Sequence, residues 1–128
     1  MTPITTEAAP AAIGPYSQAV AANGFLYVSG QLPIDPATGV FAGETAPEQM
    51  RQCLKNLAAI AEAAGTSLSR TVKTSIFLTD LAVFAEINEV YGAAFAAPYP
   101  ARSTFQVAAL PKGALVEVEA VIALETGN

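Results

Sequence analysis

The stretch from Thr45 to Gly65 constrains the fold most, because it predicts one amphipathic helix with both ends marked. Thr45 suits an N-cap, and Glu48 three positions later completes the pattern of a capping box. Gly65 suits the position just beyond a helix C-terminus. Between them, apolar side chains recur at spacings of three and four: Met50, Cys53, Leu54, Leu57, Ile60, Ala61 and Ala64. Such a stripe needs an apolar surface to pack against.

Strand signals on both sides of this helix indicate what that surface is. The predicted strands cover residues 17–22, 25–30, 72–79, 102–108 and 115–124. Asn23-Gly24, between the first two, suits a type I′ hairpin turn. Residues 31–45, with their prolines and glycines, are predicted to be a connecting loop. A second helix is predicted to begin at an Asp80 cap and to end before Pro98.

The order strand, strand, helix, strand, helix, strand, strand favours an α+β fold with a mixed sheet and both helices on one face. A chain of 128 residues fits one domain, and no repeat or linker divides residues 1–128.

Composition excludes several functions. A net charge of −5 without a Lys/Arg cluster argues against nucleic acid as a partner. The absence of histidine removes histidine-dependent triads and the usual zinc ligands, so no metal is expected. With one cysteine, no signal peptide and no membrane-length apolar run, a soluble cytoplasmic protein is expected. Only 13% of residues are charged, which predicts apolar surface hidden in an oligomer.

Arg102 and Glu117 are the charged residues most suggestive of a site, because each stands in a segment of strand character. If these two segments pair as a hairpin around residues 110–113, Arg102, Thr104 and Gln106 share one sheet face with Glu117 and Glu119. Ser103, Phe105 and Val107 would then share the opposite face with Val116, Val118, Ala120 and Ile122. The pair is open to two interpretations: an anion-binding site, or a structural ion pair within or between subunits.

Other candidate residues are weaker on their own. Tyr16 is a packing residue or a ligand contact, and Ser29-Gly30 offers a hydroxyl and amides or a simple turn. Asn88 is expected to be exposed on the second helix. Cys53 falls on the apolar stripe and is expected to be a buried, inert thiol.

Taken together, these residues resemble the RidA family, also called the YjgF/UK family, of imine deaminases. The matching blocks are residues 12–19, 28–31, 72–74, 88–91, 100–105, 108–113 and 116–120. The most specific block is Pro100-Ala101-Arg102-Ser103-Thr104-Phe105. The resemblance implies a chorismate-mutase-like fold and a homotrimer with ligand sites between subunits. It also implies hydrolysis of 2-imino acids or their enamine tautomers, released by pyridoxal-phosphate enzymes, to 2-keto acids and ammonia, without a cofactor.

The same resemblance implies roles for individual residues. Arg102 would bind the substrate carboxylate, and Glu117 would hold or activate the attacking water. The pocket would be shaped by Tyr16, Ser29, Gly30 and Asn88. Many members have a cysteine where this chain has Thr104, which puts a side-chain role at Thr104 in doubt but leaves its backbone groups available.

The leading hypothesis is therefore a deaminase acting on 2-iminopropanoate and 2-iminobutanoate. A second is a sensor or chaperone-like trimer that binds 2-keto acids without turnover. A third is the ribonuclease or translation-inhibitor role attached to some relatives, which the acidic balance and the lack of histidine disfavour.

Overall fold

The structure is a computed structural model of the chain and describes residues 1–124. Within these residues, six strands form one sheet and two α-helices pack on it. The strands are β1 Thr2–Ile4, β2 Ala19–Ala22, β3 Phe25–Gln31, β4 Thr71–Leu78, β5 Ala101–Gln106 and β6 Val116–Ala123. The helices are α1 Ala46–Ala63 and α2 Phe84–Ala94. All predicted elements are present, and β1 is an additional outer strand that pairs with β2.

The hairpin and the first helix form where local signals place them. Asn23 and Gly24 have φ of 53° and 83°, so both adopt the left-handed conformation of a type I′ turn between β2 and β3. The Thr45 hydroxyl accepts a hydrogen bond from the Glu48 amide, and the Glu48 carboxylate accepts one from the Thr45 amide. Gly65, with φ of 81°, follows the end of α1. These predictions are confirmed.

The start of α2 differs from the prediction. Asp80 caps a short 3-10 turn, Leu81–Val83, by accepting a hydrogen bond from the Ala82 amide at 2.9 Å. The α-helix begins only after this turn, at Phe84. The cap is therefore present, but one turn earlier than the helix that it was predicted to start.

The predicted hairpin between the last two strands is wrong. The sheet order is β1-β2-β3-β6-β4-β5, so β6 lies between β3 and β4 and is antiparallel to both. β5 lies at the sheet edge and runs parallel to β4. The physical reason is that α2 carries the chain from the end of β4 back to its beginning, which makes β5 a parallel neighbour of β4.

This topology also reverses the predicted sharing of faces. Arg102 and Thr104 are in register with the buried Thr74 and Ile76 of β4, on the face that the helices cover. Glu117 and Glu119 are in register with Phe77 and Ser75, on the other, open face. Likewise Ser103 and Phe105 share the open face, whereas Val116, Val118, Ala120 and Ile122 face the helices. Arg102 and Glu117 therefore lie on opposite faces of the sheet.

The core lies between the sheet and the helices. The apolar stripe of α1, including Met50 and Leu57, packs with Ile87 of α2 against Ile76 and Val118 of the sheet. The helices thus cover one face, and the open face carries exposed aromatic side chains such as Tyr27 and Phe105, which are 49% and 52% exposed.

No helix within residues 1–124 combines the length and the hydropathy that crossing a bilayer requires.

Candidate active site

Arg102 lies on the edge strand β5, in a cleft of about 420 Å³ that we call the edge cleft. Its walls are Leu81, Phe84, Arg102 and Thr104. The Arg102 guanidinium donates a hydrogen bond from Nη1 to Oδ1 of Asn88, over 2.8 Å. It also lies 5.4 Å from the ring centre of Phe84 and 5.0 Å from that of Tyr91, within the range of cation–π attraction. Asn88, expected to be exposed, is partly buried against Arg102.

One stripe of α2 makes all of these contacts. Phe84, Asn88 and Tyr91 follow at spacings of four and three and therefore lie on the same helix face. The Tyr91 hydroxyl lies 2.7 Å from Oγ1 of the buried Thr74 on β4, which fixes the ring below the guanidinium. The helix and the sheet together hold Arg102 in one orientation.

Within residues 1–124, no carboxylate forms a salt bridge with Arg102. The interpretation of Arg102 and Glu117 as an ion pair within one chain is therefore wrong. A guanidinium in contact with rings and a neutral amide keeps its charge, and its remaining donors can bind a carboxylate. Next to it, Oγ1 of Thr104 is buried and has no hydrogen-bond partner among the described residues.

Glu117 lies on the open sheet face, in a second cavity of about 710 Å³ that we call the sheet-face cavity. Predicted site residues Tyr16, Ser29 and Gly30 line it with Glu117, and Lys112 lies at its wall. Three of the predicted residues therefore lie together with Glu117. The other three, Asn88, Arg102 and Thr104, lie in or beside the edge cleft.

The backbone at Gly30 lies close to the Glu117 carboxylate. A Cβ at this position would overlap Oε2 of Glu117 and would lie 2.9 Å from its Cδ. The register of β3 with β6 shifts between Val28 and Gln31, which takes residues 29 and 30 out of regular pairing. Glycine at this irregularity leaves the space that the carboxylate occupies.

The Glu117 carboxyl is suited to exchange protons. Burial raises its pKa above the ordinary value, and the nearby Glu119 carboxylate raises the pKa further. A carboxylate with a raised pKa is a better general base than an exposed one at neutral pH.

The remaining predicted residues belong to the cavity wall. The Ser29 hydroxyl donates to the Ser17 carbonyl over 2.6 Å, and the Ser29 amide donates to the Gln18 carbonyl over 2.9 Å. Tyr16 is 54% exposed, and its hydroxyl accepts a hydrogen bond from the Ile13 amide at 3.3 Å. Ser29 thus links the wall formed by residues 9–18 to β3. Tyr16 links two positions within that wall.

Gln18 is a residue whose importance the sequence analysis missed. It is 4% exposed, and its side-chain amide donates to the carbonyls of Thr6, Ala9 and Pro10 while its oxygen accepts from the Thr6 amide. One side chain therefore holds the loop that forms a wall of the sheet-face cavity. The available signal was an amide side chain directly before a strand of small apolar residues.

Cys53 takes no part in either site. It is fully buried on α1, it donates to the Val116 carbonyl, and burial raises the pKa of its thiol far above the ordinary range. The prediction of an inert thiol is confirmed by its position.

Comparisons with known proteins identify the family of the chain. A family described as Endoribonuclease L-PSP matches residues 6–124. The chain is 64% identical to the RutC family protein y4sK of Sinorhizobium fredii, over 95% of this chain and 97% of that one. It is 46% identical to the Homo sapiens 2-iminobutanoate/2-iminopropanoate deaminase, over 92% of this chain and 86% of that one. The crystal structure of RidA from a Psychrobacter species matches with a TM-score of 0.93 and 48% identity, covering 97% of this chain and all of that one.

Fold and site together define a class of α+β protein with one mixed sheet, an arginine on its edge strand and a carboxylate on its open face. The chain belongs to the Endoribonuclease L-PSP family, which is the RidA or YjgF family. The resemblance read from the sequence is confirmed.

Proposed function

We propose that this chain hydrolyses 2-iminopropanoate, 2-iminobutanoate and their enamine tautomers, released by pyridoxal-phosphate enzymes, to 2-keto acids and ammonia. The observation that carries the proposal is the Arg102 guanidinium, which neutral groups hold and no carboxylate of the described chain neutralises. The name of the human relative supports the same reaction.

The groups present can perform this chemistry. Arg102 would bind the carboxylate of the protonated imine and fix the position of its electrophilic carbon. Glu117 would accept a proton from water as the water oxygen bonds to that carbon, giving a carbinolamine. The proton would then pass to the nitrogen, the C–N bond would break, and ammonia would leave as the carbonyl forms, with Glu117 accepting the proton that the hydroxyl loses. Water supplies the carbonyl oxygen of the keto acid, and the reaction needs no oxidant or reductant.

The separation of the two sites suggests how the active site is completed. Since Arg102 and Glu117 lie on opposite faces of one sheet, we propose that the edge cleft of one copy closes on the sheet-face cavity of another in a homotrimer. The exposed Phe105 and Tyr27 on the open face, the exposed edge of β5 and the low content of charged residues support burial of this face.

Replacement of the arginine tests the proposal. Arg102→Ala should abolish accelerated release of keto acid from 2-aminoacrylate generated by a pyridoxal-phosphate enzyme, because the substrate loses its anchor. Sedimentation should show an unchanged assembly. Arg51→Ala, which removes an exposed arginine of α1, is the matched control and should retain activity. Unchanged acceleration in the Arg102 variant would refute the mechanism.

The same Arg102 geometry also supports the alternative of a sensor or chaperone-like trimer, since an anchored carboxylate need not react. That alternative predicts that pyruvate protects the protein against thermal unfolding while imine hydrolysis stays at its uncatalysed rate. The family name Endoribonuclease L-PSP suggests ribonuclease activity as another alternative. In that case RNA cleavage would have to persist through rigorous purification.

A further inference from the structure

The neutral surroundings of Arg102 carry an inference about Asn88. We propose that Asn88 is a positioning residue, which orients the Arg102 guanidinium through an uncharged acceptor and so leaves its full charge for the substrate carboxylate. This inference rests on the proposed function, because it takes Arg102 to be the carboxylate anchor.

The chemistry of the acceptor is the first argument. An amide oxygen 2.8 Å from Nη1 fixes the direction of the guanidinium fork but brings no opposite charge. A carboxylate at the same distance would form a charge-assisted pair and would compete with any anionic ligand for the same donors. Aspartate has the same shape as asparagine but carries such a carboxylate.

The sorting of charge around α2 is the second argument. Glu86 and Glu89 flank Asn88 in sequence, yet both line the groove between α1 and α2, together with Arg51. Neighbours one and two positions apart on a helix point in different directions, so the two carboxylates are directed away from Arg102. The helix face toward Arg102 carries only uncharged side chains: Phe84, Asn88 and Tyr91.

The aromatic rings extend the same pattern. Phe84 and Tyr91 attract the guanidinium through their faces without neutralising it. Burial raises the pKa of the Tyr91 hydroxyl, so the ring remains uncharged. All the contacts of Arg102 on α2 therefore orient the cation and preserve its charge.

The test compares Asn88→Asp and Asn88→Ala, with pyruvate as the probe in calorimetric titration. Asn88→Asp should weaken pyruvate binding roughly tenfold or more, because the new carboxylate pairs with Arg102. Its unfolding temperature should be equal to or above that of the parent, because the new pair replaces a neutral hydrogen bond. Asn88→Ala should weaken binding by a smaller factor. Ala93→Asp adds the same charge at an exposed site of α2, on the side of the helix that carries Glu86 and Glu89, and should bind pyruvate as the parent does.

A merely structural role for Asn88 predicts the opposite ranking, since aspartate keeps the shape and the hydrogen bond whereas alanine loses both. Pyruvate affinity in Asn88→Asp equal to or better than in Asn88→Ala would overturn the inference. If Asn88→Asp does not fold, parental affinity in Asn88→Ala would overturn it instead. These results differ from a failure of the proposed function, in which pyruvate binding and turnover would both survive Arg102→Ala.

Discussion

The edge cleft and the sheet-face cavity both gather polar groups, but different parts of the chain build them. Regular elements frame the edge cleft: β5 carries Arg102, and one face of α2 orients it. Loops wall the sheet-face cavity, and buried amides hold them in place. Gln18 holds residues 6–10, and Asn56 of α1 donates to the carbonyls of Leu32 and Ile34.

This difference separates two tasks. A cation fixed between a strand and a helix keeps one orientation and is suited to binding. A carboxylate with a raised pKa, in a cavity whose walls depend on a few hydrogen bonds, is suited to proton transfer. We therefore expect substitutions of Arg102 and Asn88 to change ligand affinity and substitutions in the sheet-face cavity to change turnover.

The largest effect that separates the two regions is expected from Glu117→Gln. Loss of the general base should lower kcat by about a hundredfold or more, while pyruvate affinity stays near that of the parent. Rate measurements and calorimetry on the same preparation test this. Loss of pyruvate binding, rather than of turnover, would place Glu117 in the binding machinery instead.

The pH dependence of protein stability should report the raised pKa of the Glu117 carboxyl. The pKa of Glu117 is higher in the folded state than in the unfolded state. Ionisation of Glu117 therefore lowers the free energy of unfolding at pH values above the folded-state pKa, and it has no effect at pH values below the unfolded-state pKa of about 4.3. Glu117→Gln should therefore unfold at a higher temperature than the parent at neutral pH, and the difference should shrink on acidification. A difference that grows as the pH falls would contradict the raised pKa.

The next effect is expected from Gly30→Ala. The added Cβ would overlap the Glu117 carboxylate and displace it, so kcat should fall roughly tenfold. Gly92→Ala is the matched control, because a Cβ at that helical position would meet no described atom within 4 Å apart from its chain neighbours and the backbone of its own helix. The control should be fully active and more stable by up to about 1 kcal/mol. Full activity in Gly30→Ala would mean that the exact position of the carboxylate does not matter.

A smaller effect on the cavity is expected from Gln18→Leu. Three carbonyls lose their donor, so the free energy of unfolding should fall by about 2 kcal/mol and kcat by a few-fold. Denaturant titration and faster amide exchange in residues 6–10 would report the loosened wall. Parental exchange rates there would show that other contacts hold this loop.

The smallest effect is expected in the edge cleft, from Thr104→Val. Removing a buried hydroxyl that has no hydrogen-bond partner within residues 1–124 should raise the free energy of unfolding by about 1 kcal/mol, with pyruvate affinity unchanged. Thr74→Val is the matched comparison, since the Thr74 hydroxyl is paired with Tyr91, and it should destabilise the protein. Lost affinity in Thr104→Val would assign the hydroxyl itself to ligand binding.

Sequence reasoning succeeded where a few neighbouring residues decide the structure. Asn23-Gly24 fixes a turn, and Thr45 with Glu48 fixes a helix start, whatever the rest of the chain does. It failed for the partner of β5, because residues 107–115 resemble a hairpin connection while β6 is inserted between β3 and β4. That choice depends on contacts distant in sequence, and the error placed Arg102 and Glu117 on the same face.

The sequence supplied candidate site residues, but it did not supply their arrangement. The family resemblance supplied Arg102, Glu117 and Gly30 as candidates, but only the register shift in β3 shows why glycine stands beside the carboxylate. Gln18 was missed because a buried amide and an exposed one look alike in sequence, and its role is visible only once residues 6–10 fold over it.

The central claim is that Arg102 of one copy and Glu117 of another form one active site, and mixing two inactive variants tests it directly. Arg102→Ala and Glu117→Gln subunits, unfolded together in equal amounts and reassembled, should regain about a quarter of the parental activity, because random pairing leaves that share of interfaces with both residues. Each variant refolded alone should stay inactive. Mixed assemblies that also stay inactive would contradict a site shared between copies.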